Sequence, residues 1–175
     1  MLKDPLPRTL DVRKAAARGV SVKGSLELAE LPRFRPLLAG DEGHIQATLA
    51  LSRDEEHHSV IDVAVEAEVS VTCQRCLETM ITSLRCSNRL AVVWTDEQAK
   101  HLPRDLDPLI CEDDCALWDL VEDELILALP AYSYHEGRDC NQLLNELGDS
   151  DAAPSAADTR QNPFEVLAQL KRGKD

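Results

Sequence analysis

Two cysteines separated by two residues, Cys73 and Cys76, are the side chains of this sequence whose types and spacing are best suited to chemistry. The pair has three interpretations. In a thioredoxin-type enzyme such a pair begins a helix after a strand, and the helix lowers the pKa of the nucleophilic thiol. In a metal site the two thiolates bind one ion, and a closed zinc site needs two more ligands. In the third interpretation the residues are reduced thiols in a turn without further chemistry.

His135 and Cys140, separated by four residues, follow further along the chain and are also suited to metal binding. With the first pair they complete a set of three cysteines and one histidine, a combination that zinc accepts. Cys111 and Cys115 are rival ligands, and the sequence does not choose between the sets. If a metal is bound, we predict zinc, because thiolate-rich tetrahedral sites select zinc over hard cations. The predicted ligands are Cys73, Cys76, His135 and Cys140.

The elements that present the first cysteine pair are predicted to be two strands. Apolar residues alternate with polar or small ones from Ile61 to Val71, and a second alternation runs from Met80 to Trp94. A period of two is typical of a strand with one buried face. Two such runs joined by a short turn predict an antiparallel hairpin with both thiols at its tip. Because the sequence stays strand-like on both sides, the helix that a thioredoxin-type site needs is missing.

A helix over residues 117–129 is predicted to complete the fold. Its apolar stripe consists of Trp118, Val121, Leu125 and Leu129. The acidic residues assigned to the opposite side are Asp119, Glu122 and Asp123. Pro130 ends the helix. We therefore predict an α+β fold, in which a mainly antiparallel sheet with a long hairpin is covered on one face by one main amphipathic helix. A short C-terminal helix is added to it.

Composition divides the chain into three segments. Residues 1–147 are predicted to form a single α+β domain, long enough to bury a core. Residues 148–161 are small, polar and acidic, and they predict a flexible linker. Residues 162–172 begin with Asn162 and Pro163, which are suited to cap and to start a helix. They predict a short amphipathic helix that docks on its own domain or on a partner.

The charge of the chain is strongly negative but unevenly distributed. A formal net charge of −13 argues against a protein that coats nucleic acid or anionic membrane by charge alone. Residues 1–40 nevertheless contain eight Lys and Arg against four Asp and Glu, and residues 160–175 contain four against two. These basic ends either contact phosphate or form solvated surface. The candidate residues for contact with phosphate are Arg13, Lys14, Arg18, Lys23, Lys171 and Arg172.

Several functional classes are excluded by what the sequence lacks. The N-terminal residues have no apolar core of signal-peptide length, and no apolar run is long enough to span a bilayer. We therefore predict a cytoplasmic protein with reduced thiols and no membrane partner. The sequence has no Gly-rich phosphate loop and no nucleophile with an identifiable base. An enzyme is therefore not expected.

Four motifs in a fixed order resemble one known family. They are CQRCL at residues 73–77, DLVEDELILALP at residues 119–130, His135 with Cys140, and NPFEVLAQLK at residues 162–171. Together they resemble the YceD family, the bacterial large ribosomal RNA subunit accumulation proteins. The resemblance implies a non-enzymatic factor for the synthesis, processing or stability of 23S ribosomal RNA. Some members of the family have a richer cysteine cluster after the helix, where this chain has His135 and Cys140.

Two hypotheses about partners follow from this resemblance. In the first, the protein is a ribosome-biogenesis factor that contacts 23S ribosomal RNA or its precursor, mainly through the basic N-terminal segment. In the second, it is a protein-binding adaptor whose acidic middle engages a basic large-subunit ribosomal protein without direct RNA contact. Salt-dependent binding to bare RNA distinguishes the first from the second.

Overall fold

The computed structural model describes residues 4–111, 114–137 and 140–141. The residues up to Cys140 belong to one compact unit. Its strands are β1 (Thr9–Asp11), β2 (Ser21–Leu26), β3 (Gly43–Arg53), β4 (Ser59–Thr72), β5 (Thr79–Val93), β6 (Asp107–Ile110) and β7 (Asp114–Ala116). Its α-helices are α1 (Val12–Arg18), α2 (Asp96–Ala99) and α3 (Leu117–Ala128), and 3-10 helices span Leu28–Glu30 and Arg35–Leu37.

The strands form two sheets. Five of them make one sheet in the order β2-β3-β4-β5-β6, and β1 pairs with β7 in a separate antiparallel sheet. Neighbours in the large sheet are antiparallel except β5 and β6, which are parallel. The predicted hairpin is confirmed as the β4–β5 hairpin, with its tip at residues 73–78.

The alternating sequence of β4 decides which face of the hairpin is buried. Apolar side chains from Ile61 to Val71 are buried at every second position, while the residues between them are mostly exposed. On the exposed face, Asp62 lies opposite Arg89 and Glu66 opposite Arg85, at 3.5 and 3.7 Å between charged atoms. Opposite charges at paired positions support the register modestly, because exposed ion pairs contribute little.

Two helices cover the apolar face of the sheet. The sequence of α1 gives no broad apolar stripe, yet Val12, Ala15 and Ala16 are buried and the helix packs on β3 and β4. Asp11 caps this helix by accepting a hydrogen bond from the Lys14 backbone (2.9 Å). The other helix, α3, packs on β4 and β5. Val65, Val69, Val121 and Leu125 are all buried in the shared core.

The predicted α+β class, with one main helix covering an antiparallel sheet, is wrong. The described residues are mainly β, the five-stranded sheet is mixed, and the helices are short. The helix predicted at 117–129 is present as α3, but its 12 residues extend about 18 Å, whereas the 15-residue β5 extends about 50 Å. One such helix cannot cover this sheet, and α1 and the first 3-10 helix also pack on it.

Glu122, which the sequence pattern places on the polar side of α3, is buried. Its carboxylate accepts hydrogen bonds from the backbone N–H groups of Arg33 (2.7 Å) and Phe34 (3.0 Å) and from the Arg33 side chain (2.8 Å). Asp123 binds the same guanidinium at 2.6 Å. A buried carboxylate is tolerated when donors surround it in this way. Glu122 thus fixes the loop between the 3-10 helices against α3.

Two predicted segments, the linker at 148–161 and the docking helix at 162–172, lie outside the described residues and remain predictions. No helix in the described ranges is long and apolar enough to cross a membrane.

Candidate metal centre

The hairpin tip is a tight turn built around Cys73. The Cys73 N–H donates to the Glu78 carbonyl (2.9 Å), and the Leu77 N–H donates to the Cys73 carbonyl (2.9 Å). Leu77 has a φ of 62°, in the left-handed region that non-glycine residues rarely adopt. This turn directs both cysteine side chains toward one place, where Cys73 is fully buried and Cys76 half-buried.

The chain that follows α3 returns to this tip. The Gln74 N–H donates to the Ser133 carbonyl (2.8 Å), which fixes the returning chain beside the turn. Arg75, between the two cysteines, donates from Nη1 to the Gly137 carbonyl (2.6 Å) and lies over the Tyr134 ring. These contacts bring His135 to the cysteines, although it is far from them in sequence. No sequence pattern indicates this role of Arg75.

Four side chains meet at the hairpin tip as a potential metal-binding group. Their ligand atoms all lie within 4.8 Å of one another. Cys73 Sγ is 4.0 Å from Cys140 Sγ, and Cys76 Sγ is 3.5 Å from His135 Nδ1. The structure therefore brings together the four residues that the sequence analysis named as zinc ligands: Cys73, Cys76, His135 and Cys140.

The spacing of these atoms fits zinc. Tetrahedral zinc binds sulfur at about 2.3 Å and nitrogen at about 2.0–2.1 Å, which separates neighbouring ligand atoms by roughly 3.5–3.8 Å. The observed 4.0 Å and 3.5 Å lie close to these values. The donor set of three sulfurs and one imidazole is also one that structural zinc sites use. Arg75 Nη1 lies 3.5 Å from Cys140 Sγ and can partly neutralise a thiolate there.

The electrostatics of the cluster favour a thiolate at Cys73. Burial raises the pKa of this thiol, but hydrogen bonds from the backbone of Cys76, His135 and Arg75 outweigh burial and lower the pKa to about 5. For Cys76 the balance is opposite. A backbone hydrogen bond from Glu78 lowers the pKa of Cys76. Burial and the neighbouring cysteines Cys73 and Cys140 outweigh it, so the pKa of Cys76 is raised overall. A bound cation would stabilise both as thiolates.

The remaining cysteines belong to other parts of the fold. All six cysteines are free thiols. Cys86 lies on the inner face of β5, half-buried, with its thiol 3.9 Å from the Val65 carbonyl. Cys111 follows β6 and Cys115 lies in β7. A hydrogen bond between their two thiols lowers the pKa of Cys111 and raises the pKa of Cys115. These rival ligands are not part of the four-residue cluster.

The candidate RNA-binding residues have different environments. Arg18 ends α1 and is exposed, and Lys23 is exposed on β2. Lys14 is exposed and forms an ion pair with Asp11 at 2.7 Å. Arg13 differs from these three, because it is half-buried and its guanidinium lies 3.8 Å from the centroid of the Trp94 ring. Lys171 and Arg172 lie outside the described residues.

Comparison with known proteins gives consistent results. Residues 61–171 match the family described as large ribosomal RNA subunit accumulation protein YceD. A protein of Haemophilus influenzae with the same name is 32% identical over 174 residues, which cover 98% of this chain and 99% of the relative. No solved structure is significantly similar to the chain.

Proposed function

The chain belongs to the YceD family, and from that premise we propose that it supports the accumulation of large-subunit ribosomal RNA as a non-enzymatic biogenesis factor. The observation that carries this proposal is the nearly full-length similarity to a relative named for that role. We propose that the protein acts in the cytoplasm on the synthesis, processing or stability of 23S ribosomal RNA.

We further propose that the cysteine–histidine cluster holds one structural zinc ion. Four protein ligands fill a tetrahedral zinc site, which leaves no position for the water or substrate that a catalytic zinc needs. Here zinc would link the hairpin tip to the chain that follows α3. Cys73 and Cys76 would hold it from the tip, and His135 and Cys140 from the other side. Such a link supports a scaffold rather than a reaction.

The contact with RNA is assigned to the basic N-terminal segment. Arg13, Lys14, Arg18 and Lys23 lie in or next to α1 and β2, while the rest of the chain is acidic. Their contribution would be phosphate neutralisation, weakened by the negative body of the protein. That negative charge favours a second candidate function, an adaptor that binds a basic large-subunit ribosomal protein without touching RNA.

The accumulation role is tested by depleting the protein in the cells that encode it. We expect the ratio of 23S to 16S ribosomal RNA to fall, because the proposed factor acts on the large subunit alone. Re-expression of the wild-type chain should restore the ratio. An unchanged ratio after complete depletion would contradict the proposal.

RNA contact and the adaptor function are separated by crosslinking followed by RNA sequencing, and by binding in a salt series. Each lost phosphate contact reduces the log–log salt slope by about 0.7 for single strands. The triple variant with Arg13, Lys14 and Arg18 changed to Gln should therefore bind RNA more weakly and with a flatter slope. Tight capture of a ribosomal protein without RNA crosslinks would support the adaptor.

A further inference from the structure

An open cavity of about 410 Å³ lies at the end of the β4–β5 hairpin opposite the cysteine cluster. It is bounded by the start of β4, the end of β5, α2 and the Arg13 side chain of α1. Its size is typical of small-ligand sites. The polar and aromatic groups that line it are Arg13, His57, His58, Trp94, Gln98 and His101. None of the described lining residues is acidic, although the chain carries a net charge of −13.

The charged group of this cavity has unused hydrogen-bonding capacity. Arg13 Nη1 is buried and has no hydrogen-bond partner among the residues that the structure describes. An arginine is always charged, and a buried donor on a cation without an acceptor is unfavourable. A buried polar group without a protein partner is suited to bind a ligand, an ion or a water molecule. An anionic oxygen supplied by a ligand would satisfy this donor.

The aromatic group of the cavity is accessible. Trp94 is 57% exposed even though the Arg13 guanidinium is stacked on its ring. Its backbone is held in place, because its N–H donates to the Gln98 side chain at 2.8 Å. Indole rings and guanidinium planes are the surfaces on which proteins stack unpaired RNA bases. Trp94 and Arg13 therefore offer an aromatic platform directly beside a phosphate-binding cation.

Two histidines are held at the edge of the cavity by one aspartate. Asp54 accepts hydrogen bonds from the His58 backbone (2.7 Å) and from its ring Nδ1 (2.9 Å). The His57 N–H donates to the Asp54 carbonyl (3.2 Å), and His57 has a φ of 68°. Imidazoles are common partners of bases and phosphates. The turn thus fixes the His58 ring and the His57 backbone at the edge of the cavity, at some cost in backbone strain.

A second Arg–Trp stack in the same protein provides an internal comparison. Arg8 lies over Trp118 at 4.2 Å from the ring centroid, and the indole N–H of Trp118 donates to the Leu6 carbonyl (2.8 Å). This tryptophan is half-buried and packs against the core. The Arg8–Trp118 stack therefore has its hydrogen-bond partner and its packing contacts within the protein. The Arg13–Trp94 stack lies at an open cavity, and Arg13 Nη1 has no hydrogen-bond partner among the described residues.

We propose that this cavity binds one nucleotide of single-stranded RNA, with the base stacked at Trp94 and the phosphate bound by Arg13. This inference rests on the proposed function, and it adds base stacking to a surface that charge alone would assign to phosphate neutralisation. A base and a phosphate together match the paired aromatic and cationic groups better than an isolated acidic side chain does. An acidic peptide is the alternative ligand that the experiment must exclude.

The test is fluorescence anisotropy of full-length protein with a labelled ten-nucleotide single-stranded RNA at several salt concentrations. Trp94→Ala should lower affinity roughly 5- to 150-fold, the range for losing one stacking residue. The salt slope should not change, because the indole carries no charge. Trp94→Phe keeps a ring and should retain most of the affinity. Thermal unfolding of each variant checks that the fold is intact.

Arg13→Gln and Arg18→Gln form the matched pair for the cationic group. Both remove one positive charge from α1, but Arg13 alone lines the cavity. We expect the Arg13 variant to lose several times more affinity than the Arg18 variant. Trp118→Phe is the matched control for Trp94→Phe, and it should leave RNA affinity unchanged.

Equal RNA affinity of Trp94→Ala and wild type would overturn the nucleotide site. If Arg18→Gln then weakened binding, RNA would be bound by charge elsewhere and the biogenesis role would stand. Binding of a poly-glutamate peptide through Trp94 and Arg13, with no RNA binding by wild type, would also overturn the site in favour of an acidic peptide. The biogenesis role fails separately, through an unchanged 23S to 16S ratio after depletion.

Discussion

The two ends of the β4–β5 hairpin are built in opposite ways. At the tip, four side chains face one another within 4.8 Å, and Cys73 has no exposed surface. At the other end, Arg13 and Trp94 face an open cavity, and Trp94 is 57% exposed. The ends are about 45 Å apart along the strands. Side chains that converge on one enclosed point are suited to hold a structural ion, whereas groups that face an open cavity can bind a ligand. We therefore assign stability to the tip and recognition to the opposite end.

The largest expected effect tests the tip. Cys76→Ser removes one of the four proposed zinc ligands and should destabilise the protein by several kcal/mol. The loss should stay below the ~10–16 kcal/mol that zinc contributes to peptides without a core. Cys86→Ser is the matched control, because Cys86 is also half-buried but lies outside the cluster. Zinc content and thermal unfolding are the measurements.

Two results of zinc analysis, one on the wild-type protein and one on Trp94→Ala, would break the comparison. Protein purified without chelator and free of stoichiometric zinc would contradict the metal assignment. Loss of zinc from Trp94→Ala would contradict the independence of the two ends, because Trp94 lies at the far end of β5.

The next effect concerns the arginine between the two cysteines. Arg75→Ala removes the hydrogen bond to Gly137 and the positive charge beside Cys140. Loss of such an outer partner typically costs 10- to 100-fold in metal affinity, and we expect the lower part of that range. Competition with a zinc chelator measures it. Arg75→Lys keeps the charge, and its zinc affinity should lie between those of Arg75→Ala and the wild type. An unchanged zinc affinity of Arg75→Ala would show that Arg75 does not contribute to the site.

A buried acid of α3, Glu124, contacts Asn88 in the middle of β5 and gives a reference that belongs to neither end. Burial raises the pKa of Glu124, with Asp107 and Asp123 adding to the effect against the hydrogen bond from Asn88. The folded protein therefore holds the proton more tightly than the unfolded chain. The contribution of Glu124 to stability is fully present below the pKa that this group has in the unfolded chain. It is lost as the pH rises through the higher pKa that the group has in the folded protein.

Glu124→Gln should therefore stabilise the protein at neutral pH and have little effect below pH ~4, where Glu124 is protonated in both states. Thermal unfolding at pH 4 and pH 7 tests this, and a larger gain at pH 4 would contradict it. Zinc content and RNA affinity should both stay unchanged.

The smallest effects compare the strained residue of each end. Leu77 at the tip and His57 at the opposite turn both have positive φ, which glycine adopts without strain. Leu77→Gly and His57→Gly should each raise stability by about 0.5–1 kcal/mol. Their functional effects should differ, because Leu77→Gly should keep zinc and RNA binding, whereas His57→Gly should weaken RNA binding. Equal RNA affinity of both variants would exclude His57 from the recognition end.

Local patterns account for what the sequence predicted. The alternation from Ile61 to Val71 spans enough residues to identify β4 and its buried face, and the short turn identifies the hairpin. By contrast, β6 has four residues, one of which is Pro108, and its parallel pairing with β5 depends on contacts that no local pattern records. The α1 helix was missed because its buried face consists largely of Ala15 and Ala16, which give a weak apolar signal.

The same distinction applies to the two ends. Cys73 and Cys76 are recognisable from their spacing, and His135 and Cys140 are candidates from their residue types and the four residues between them. The cavity at the opposite end gives no comparable signal. Arg13, Trp94 and the histidines come from separate segments, and only the packing of α1, the β3–β4 turn and α2 brings them together.

The small sheet of β1 and β7 has a consequence for the order of events during synthesis. Thr9 pairs with Ala116, and the Leu117 N–H that begins α3 donates to the Arg8 carbonyl (2.8 Å). Strand β1 is therefore synthesised early, but its pairing partner β7 is made only near the end of the unit. Contacts so distant in sequence form late, because their loop-closure entropy is paid first. A nascent chain that ends before β7 can complete the β4–β5 hairpin and pack α1 on β3 and β4, but it cannot pair β1. The segment that leads into α1 and Arg13 is therefore fixed only after β7 has been translated.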